Sequence, residues 1–298
     1  MTPIESIYEI RSAVIRFKMD RMNSILNRVL LILIGVTLFL CLPTIGQANE
    51  QWKSLAKGIE YGTLKVKHLP DAGGAIVHVV RIDPVKAKLK LFLASEHGKM
   101  SRTATQWCKE FNLVAAINAG MYHKDLITNV GYLRNRLHIQ NKRWNSKYKS
   151  ALAFDPKRRG ISPAILIDLD DPDAMKKLSE YNAVVQNLRL VKGNGINVWA
   201  KQNKQWSEAA VGIDADGRVF FLFCRSPLAM RDFNEVIKLL GLGVIRMMHV
   251  EGGPLASLSI KSPNITLDLA GSYETIIKED STNKEQWPIP NVIGVQTE

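Results

Sequence analysis

The sequence predicts a single α+β domain in which extensive mixed or antiparallel sheet is flanked by a few helices. Three observations carry that expectation. Short apolar or alternating runs of strand length recur from about residue 60 to the C-terminus, helical signals appear in only three stretches, and no linker-like tract divides the chain. With 298 residues, 46% hydrophobic and 23% charged, the chain is long enough for a real core and ordinary in composition, so neither disorder nor a fibre is expected.

In chain order, residues 62–69, 75–82 and 88–94 read as strands, with Asp83-Pro84 turning between the last two. "TATQWCKEF" (103–111) reads as a short helix capped by Thr103, and "LVAAIN" (113–118) as a buried strand. "VGYLRNRLHIQ" suggests a strand pair turning near Arg134-Asn135, followed by strands in "SALAFDP" and "AILIDLD". Asp171-Pro172 opens a helix, because proline suits a first helical turn. "AVVQNLRLVKGNGINVWA" gives strands around a turn at Gly193-Asn194-Gly195, and "AAVGIDADGRVFFLFCR" is a hairpin turning at Ala215-Asp216-Gly217. "AMRDFNEVIKLLGLG" is a helix with Phe233, Val236, Ile237 and Leu240 on one stripe, ended by Gly241. "VIRMMHV", "TLDLAG", "YETIIK" and "IPNVIGVQ" complete the strands.

Residues 1–48 stand apart. Arg21 and Arg28 precede an apolar run from Val29 to Leu42, then Pro43 and a small-residue exit at Gly46-Gln47-Ala48. That order is expected of a secretory signal peptide cleaved after Ala48, with Met22 an alternative start that would make residues 1–21 an over-extension. The run is shorter than the roughly 20 residues of a membrane-spanning helix, so membrane contact is expected only through this segment if it stays uncleaved. The product would be secreted or periplasmic, with residues 49–298 as the mature domain. Removing 48 residues takes the chain from 40 Lys and Arg against 28 Asp and Glu to 35 against 25, net +10. Such a charge favours anionic polymers, and for an exported protein a phosphate-containing glycan fits better than nucleic acid. Cys108 and Cys224 remain, one in a helical pattern and one in a strand, and two buried free thiols are expected.

Three segments carry residues that suit chemistry. In "INAGMY" (117–122), Asn118 offers donor and acceptor, Gly120 admits a ligand to the backbone, and Tyr122 supplies a phenol. In "HVEGG" (249–253), Glu251 closes a buried run, where desolvation raises a carboxyl toward the general-acid range. Gly252 and Gly253 then leave amides uncovered for phosphate or a developing oxyanion. His249 lies two residues earlier, on the same face of a regular strand, as an acid/base partner or a metal corner. In "FCRSP" (223–227), a strand is expected to deliver Arg225 and Ser226 to a loop, and arginine is the usual bidentate phosphate ligand. Esterase elbow, zincin, P-loop and dinucleotide motifs are absent from the sequence, which removes those classes.

In order, "AAINAGMY", "GYLRNRLHI", "VVQNLRLVKGNGIN", "AAVGIDADGRVFFLF", a helix, "VEGGPLASL" and "IPNVIGV" resemble the phosphodiester glycosidase family from about residue 60 to 295. The family's first loop is matched by Asn118 to Tyr122. Its Asp-Gly-Gly is replaced here by Glu251-Gly252-Gly253, and its arginine four residues before the glycine at Gly212 is replaced by Glu208. The resemblance implies hydrolysis of a sugar-1-phosphodiester at the glycosidic C–O bond, with no cofactor required. It makes Glu251 the acid/base or nucleophile, Asn118 and the Gly252 and Gly253 amides orienting donors, and Tyr122 beside Gly120 a sugar platform. Arg225 and Ser226 become phosphate contacts and His249 a reserve acid. Two alternatives stay open: an exported glycan-binding protein that keeps the fold without the chemistry, and a phosphodiesterase holding a divalent cation on Glu251, His249 and Asp214.

Overall fold

The computed structural model describes residues 52–67, 74–275 and 277–297. The expected signal segment with its cleavage site, and His68, lie outside the described residues. The strands are β1 (Lys53–Ala56), β2 (Ile59–Val66), β3 (Ala75–Ile82), β4 (Ala87–Leu93), β5 (Ala115–Asn118), β6 (Leu133–Asn135), β7 (His138–Asn141), β8 (Ser150–Pro156) and β9 (Ala164–Asp168). They continue as β10 (Tyr181–Asn187), β11 (Arg189–Lys192), β12 (Ile196–Asn197), β13 (Trp206–Asp214), β14 (Val219–Leu228), β15 (Val244–Gly252), β16 (Ser257–Lys261), β17 (Thr266–Ala270) and β18 (Asn291–Thr297). Three α-helices join them among the described residues: α1 (Ala104–Phe111), α2 (Ala174–Ser179) and α3 (Met230–Leu239).

The strands form an eight-stranded sheet in the order β1-β2-β3-β14-β13-β15-β11-β12 and two five-stranded sheets, β7-β6-β10-β8-β9 and β17-β16-β5-β18-β4. The α+β expectation holds, with the described strand pairs antiparallel.

One face of each sheet meets in a shared core, where Val80, Val211 and Phe221 of the first pack with Leu152 and Val185 of the second and Ile117 and Ile293 of the third. A helix covers the other face of each. Phe233, Val236 and Ile237 of α3 lie with Ala210, Phe220 and Leu222; Trp107 of α1 with Ala116 and Val292; Ala174 and Leu178 of α2 with Ala153 and Val184. Burial on both faces explains why "VFFLFC" is continuously apolar rather than alternating: Val219, Phe221 and Phe223 enter the shared core, Phe220, Leu222 and Cys224 the layer under α3.

Local signals set the helix ends. Thr103 and Gln106 form a reciprocal capping box at the start of α1, and Asn112 ends it in the left-handed region at φ 51°. Gly241, at φ 66°, follows α3 as read from the sequence. Cys108 and Cys224 are buried and free, their thiols pushed up to about 12, chiefly by burial.

The structure differs from the sequence reading at several places. The described residues of "YETIIK" form no strand: Glu274 bridges singly to Trp206 and Lys278, and Ile277 is 73% exposed. β16 does form, although its alternation is hidden because Ser257 and Ser259 are themselves buried. The β6–β7 turn falls two residues later than Arg134-Asn135, at Arg136, which takes φ 54°. α2 begins at Ala174 rather than at Pro172. Arg225 and Ser226 lie within β14, not in a loop after it.

Candidate active site

The Asn118 loop and the glycine pair, far apart in sequence, meet at one end of the shared core. β5 ends at Asn118, whose Nδ2 donates to Leu255 O at 3.0 Å and whose Oδ1 accepts from Ser257 N at 2.8 Å. The amide thus pins the turn that follows Gly253. Beyond it the chain folds into a small ribbon, with Val130 N donating to Met121 O and His123 N to Thr128 O. Gly120 is required there: it sits at φ +128°, and a Cβ would meet Asn129 Oδ1 at 2.7 Å. Replacing Asn118 by alanine leaves a buried N–H and a carbonyl without their partner. It should cost about 2–3 kcal/mol, read as a lower urea midpoint with unchanged slope.

Glu251 stands at the end of β15, 6% exposed. Its Oε1 accepts from Gly252 N at 3.1 Å, while Oε2 is sealed from solvent with no partner. Burial pushes its carboxyl up to about 7, against the opposing charge of His249 and the Gly252 hydrogen bond, with Glu274 and Glu208 adding to the rise. Tyr122 and Tyr148 share this region. Both phenols are raised, first by burial and then by the charge of Glu251, Tyr148 to about 12.

The spacing that suggested a shared face for His249 and Glu251 does not hold. The register slips so that His249 stands opposite Ala210 and Glu251 opposite Ala209, making Val250 an inserted residue. Such a bulge re-aims neighbouring side chains. His249 is paired instead with Glu208, Nδ1 to Oε1 at 2.5 Å, and Trp206 Nε1 donates to Glu208 Oε2 at 2.6 Å. Burial alone would push His249 down, but Glu208, Glu251 and Glu274 together hold it above its ordinary value.

Gly252 lies under the Trp206 indole, and Gly253, at φ +64°, lies where any Cβ would collide with Glu274. That carboxyl is raised chiefly by burial. Arg225 is committed elsewhere, donating to the carbonyls of Ala270, Ser281 and Asn283, so it fastens the segment after β17. Ser226 contributes a carbonyl that accepts from Cys224 Sγ at 3.6 Å. Asp214 sits at the far end of β13, bound to Arg218, so Asp214, His249 and Glu251 do not form one cation site. Clefts of 410 and 370 Å³ open elsewhere, beside Phe92 and Asp155 and beside Ile161 and Lys177; neither is lined by these residues, so chemistry and not void size marks the site.

The structure therefore joins Asn118, Gly120, Tyr122, Glu251, Gly252 and Gly253, with His249 within reach of the Glu251 charge. It adds Trp206, Tyr148 and Glu274, which the sequence reading did not assign to the site, and gives Glu208, which stands in place of the family's arginine, a partner in His249. The lone acid in the apolar run "WSEAAVGI" is the local signal for Glu208; nothing local marks Tyr148.

The sequence matches the phosphodiester glycosidase family over residues 111–296. No curated protein sequence matches it. Among solved structures it resembles the zebrafish N-acetylglucosamine-1-phosphodiester alpha-N-acetylglucosaminidase catalytic domain, auto-inhibited by its pro-peptide. The TM-score is 0.61 at 12% identity, covering 84% of this chain and 88% of that one. A hypothetical protein from Synechocystis gives 0.57 at 11% identity, covering 85% of this chain and 64% of that one, so this chain spans just under two thirds of its length. At these identities the likeness is one of fold. The family match spans more than half the chain, including both loops that meet at Glu251: the chain belongs to the phosphodiester glycosidase family.

Proposed function

We propose that this protein is an exported hydrolase that cleaves the glycosidic bond of sugar-1-phosphodiesters in envelope or extracellular glycans. One observation carries the reading: a carboxyl with a sealed, unpartnered oxygen and a value near 7 stands where the two family loops meet. A base of that strength is half-ionised near neutral pH, where general-base catalysis is most effective. Glu251 takes a proton from water, the water oxygen bonds to the anomeric carbon, and the C1–O bond breaks with its electron pair leaving on the phosphate oxygen. Because the leaving phosphate is a stable anion, strong protonation of it is unnecessary.

Asn118 acts as a positioning residue through the Leu255–Ser257 turn. The Gly252 and Gly253 amides and Tyr122 serve as substrate contacts. Glu251 Oε2 is enclosed, so substrate reaches it only when a neighbouring side chain moves. The export expectation rests on the signal-like order of residues 21–48, and the anionic-glycan expectation on the net charge of +10 after residue 48.

The test is a panel of sugar-1-phosphodiesters incubated with the full-length protein and assayed for released sugar. Turnover of at least one supports the reading. Binding of anionic glycans without turnover of any would replace it with the non-catalytic alternative, which the enclosure of Glu251 favours.

A further inference from the structure

We propose that His249, hydrogen-bonded through Nδ1 to Glu208, is the site's anion contact, presenting Nε2–H to a phosphate oxygen of the ligand. The inference rests on the sugar-phosphodiester reading above and names the group that holds the phosphate. Its basis is a chain of short hydrogen bonds. Trp206 Nε1 donates to Glu208 Oε2 at 2.6 Å, and Glu208 Oε1 meets His249 Nδ1 at 2.5 Å. Glu208 is 1% and His249 2% exposed. A carboxylate on Nδ1 fixes the proton there and orients the ring, which leaves Nε2 as the functional nitrogen. Nε2 takes no bond from a described residue and, unlike Glu251 Oε2, is not a sealed, unpartnered atom.

The other candidate cation is occupied. Arg225 donates to three backbone carbonyls, so the arginine that the sequence offered for phosphate is a fastener of the 271–283 segment. The surroundings of the imidazole favour its charged form. Glu208 on β13, Glu251 on β15 and Glu274 after β17 all act on it, against the cost of burial. Cys224 on β14, close enough to feel Glu208, keeps its proton.

A buried histidine held this way is a conditional cation. It binds phosphate below its raised value and releases its hold as pH rises through that value. Glu208 is a positioning residue, because it acts only through the ring. When the glycosidic bond breaks, the electron pair passes to the oxygen beside Nε2–H. The hydrogen bond strengthens there without the proton having to leave nitrogen.

Methyl phosphate is the probe, read by 15N NMR of the histidine side chains and by titration of the full-length protein. In the wild type, Nδ1 is expected to stay protonated across the pH range and Nε2 to titrate and to shift on adding the probe. Glu208→Gln should lower the histidine's apparent value and weaken probe binding about 10- to 100-fold, the worth of a charge-assisted hydrogen bond. His249→Gln should weaken binding equally, and the double variant no further. Unchanged affinity in either single variant, an Nε2 resonance that ignores the probe, or no binding at all would overturn the proposal. Because the readout is binding, a protein that holds methyl phosphate through His249 but hydrolyses no diester loses the catalytic reading alone. One that hydrolyses diesters with His249 unperturbed loses this inference alone.

Discussion

Glu251→Gln is expected to lower kcat/KM for any sugar-1-phosphodiester that the wild type hydrolyses by about 10³-fold or more, in the upper range for removal of a general base. Glutamine keeps the size and the Oε1 bond to Gly252 N, so the loss should fall on kcat with KM little changed. The site's ionisations sharpen the expectation. Activity should rise as pH passes about 7, where Glu251 loses its proton. Loss of the His249 proton as pH rises works against that gain, because the charges of Glu208, Glu251 and Glu274 hold the imidazole above its ordinary value. Because each charge acts on the other, the two ionisations belong to the pair. Retention of wild-type kcat in Glu251→Gln removes the residue from the mechanism.

The same substitution should make the protein more stable, and by a pH-dependent amount. A carboxyl raised from 4.5 to about 7 in the folded state holds its proton longer than in the unfolded chain. Below pH 4.5 both states are protonated and the group contributes nothing. Between 4.5 and 7 the unfolded state ionises first, so stability falls as pH rises; above 7 the deficit is complete. The shift corresponds to about 3 kcal/mol. Glu251→Gln should therefore unfold at clearly higher urea than the wild type at pH 8, by about 2–3 kcal/mol, and at nearly the same urea at pH 4. Equal stabilities at both pH values would mean that Glu251 is not held in the desolvated state described. Lost activity together with gained stability is the signature of a residue kept for function.

These two outcomes bear on how much of the molecule could be read without a structure. The hairpin of β13 and β14 was legible because a polar turn, Asp214-Ala-Asp-Gly217, separates two runs buried on both faces. α1 was legible through its capping pair, since Thr103 and Gln106 are local. β16 was not, because small buried serines look like loop residues until β5 and β17 close on them. Nor was the end of "YETIIK", where Ile277 meets solvent rather than a sheet.

At the site, the glycines and Glu251 carried visible signals, and family order placed them opposite Asn118. The pairing of His249 was not visible, because it depends on a one-residue slip at Val250 that only the register of β13 against β15 reveals. Arg225 illustrates the same limit from the other side. Its residue type suits phosphate, but three carbonyls contributed by a distant segment take its donors.

The most direct test of the central claim is hydrolysis in 18O-labelled water of a sugar-1-phosphodiester that the wild type turns over. Attack at the anomeric carbon predicts the label in the released sugar and none in the phosphomonoester, with incorporation by Glu251→Gln slowed about 10³-fold. Label in the phosphate would show cleavage at phosphorus and contradict the glycosidase account.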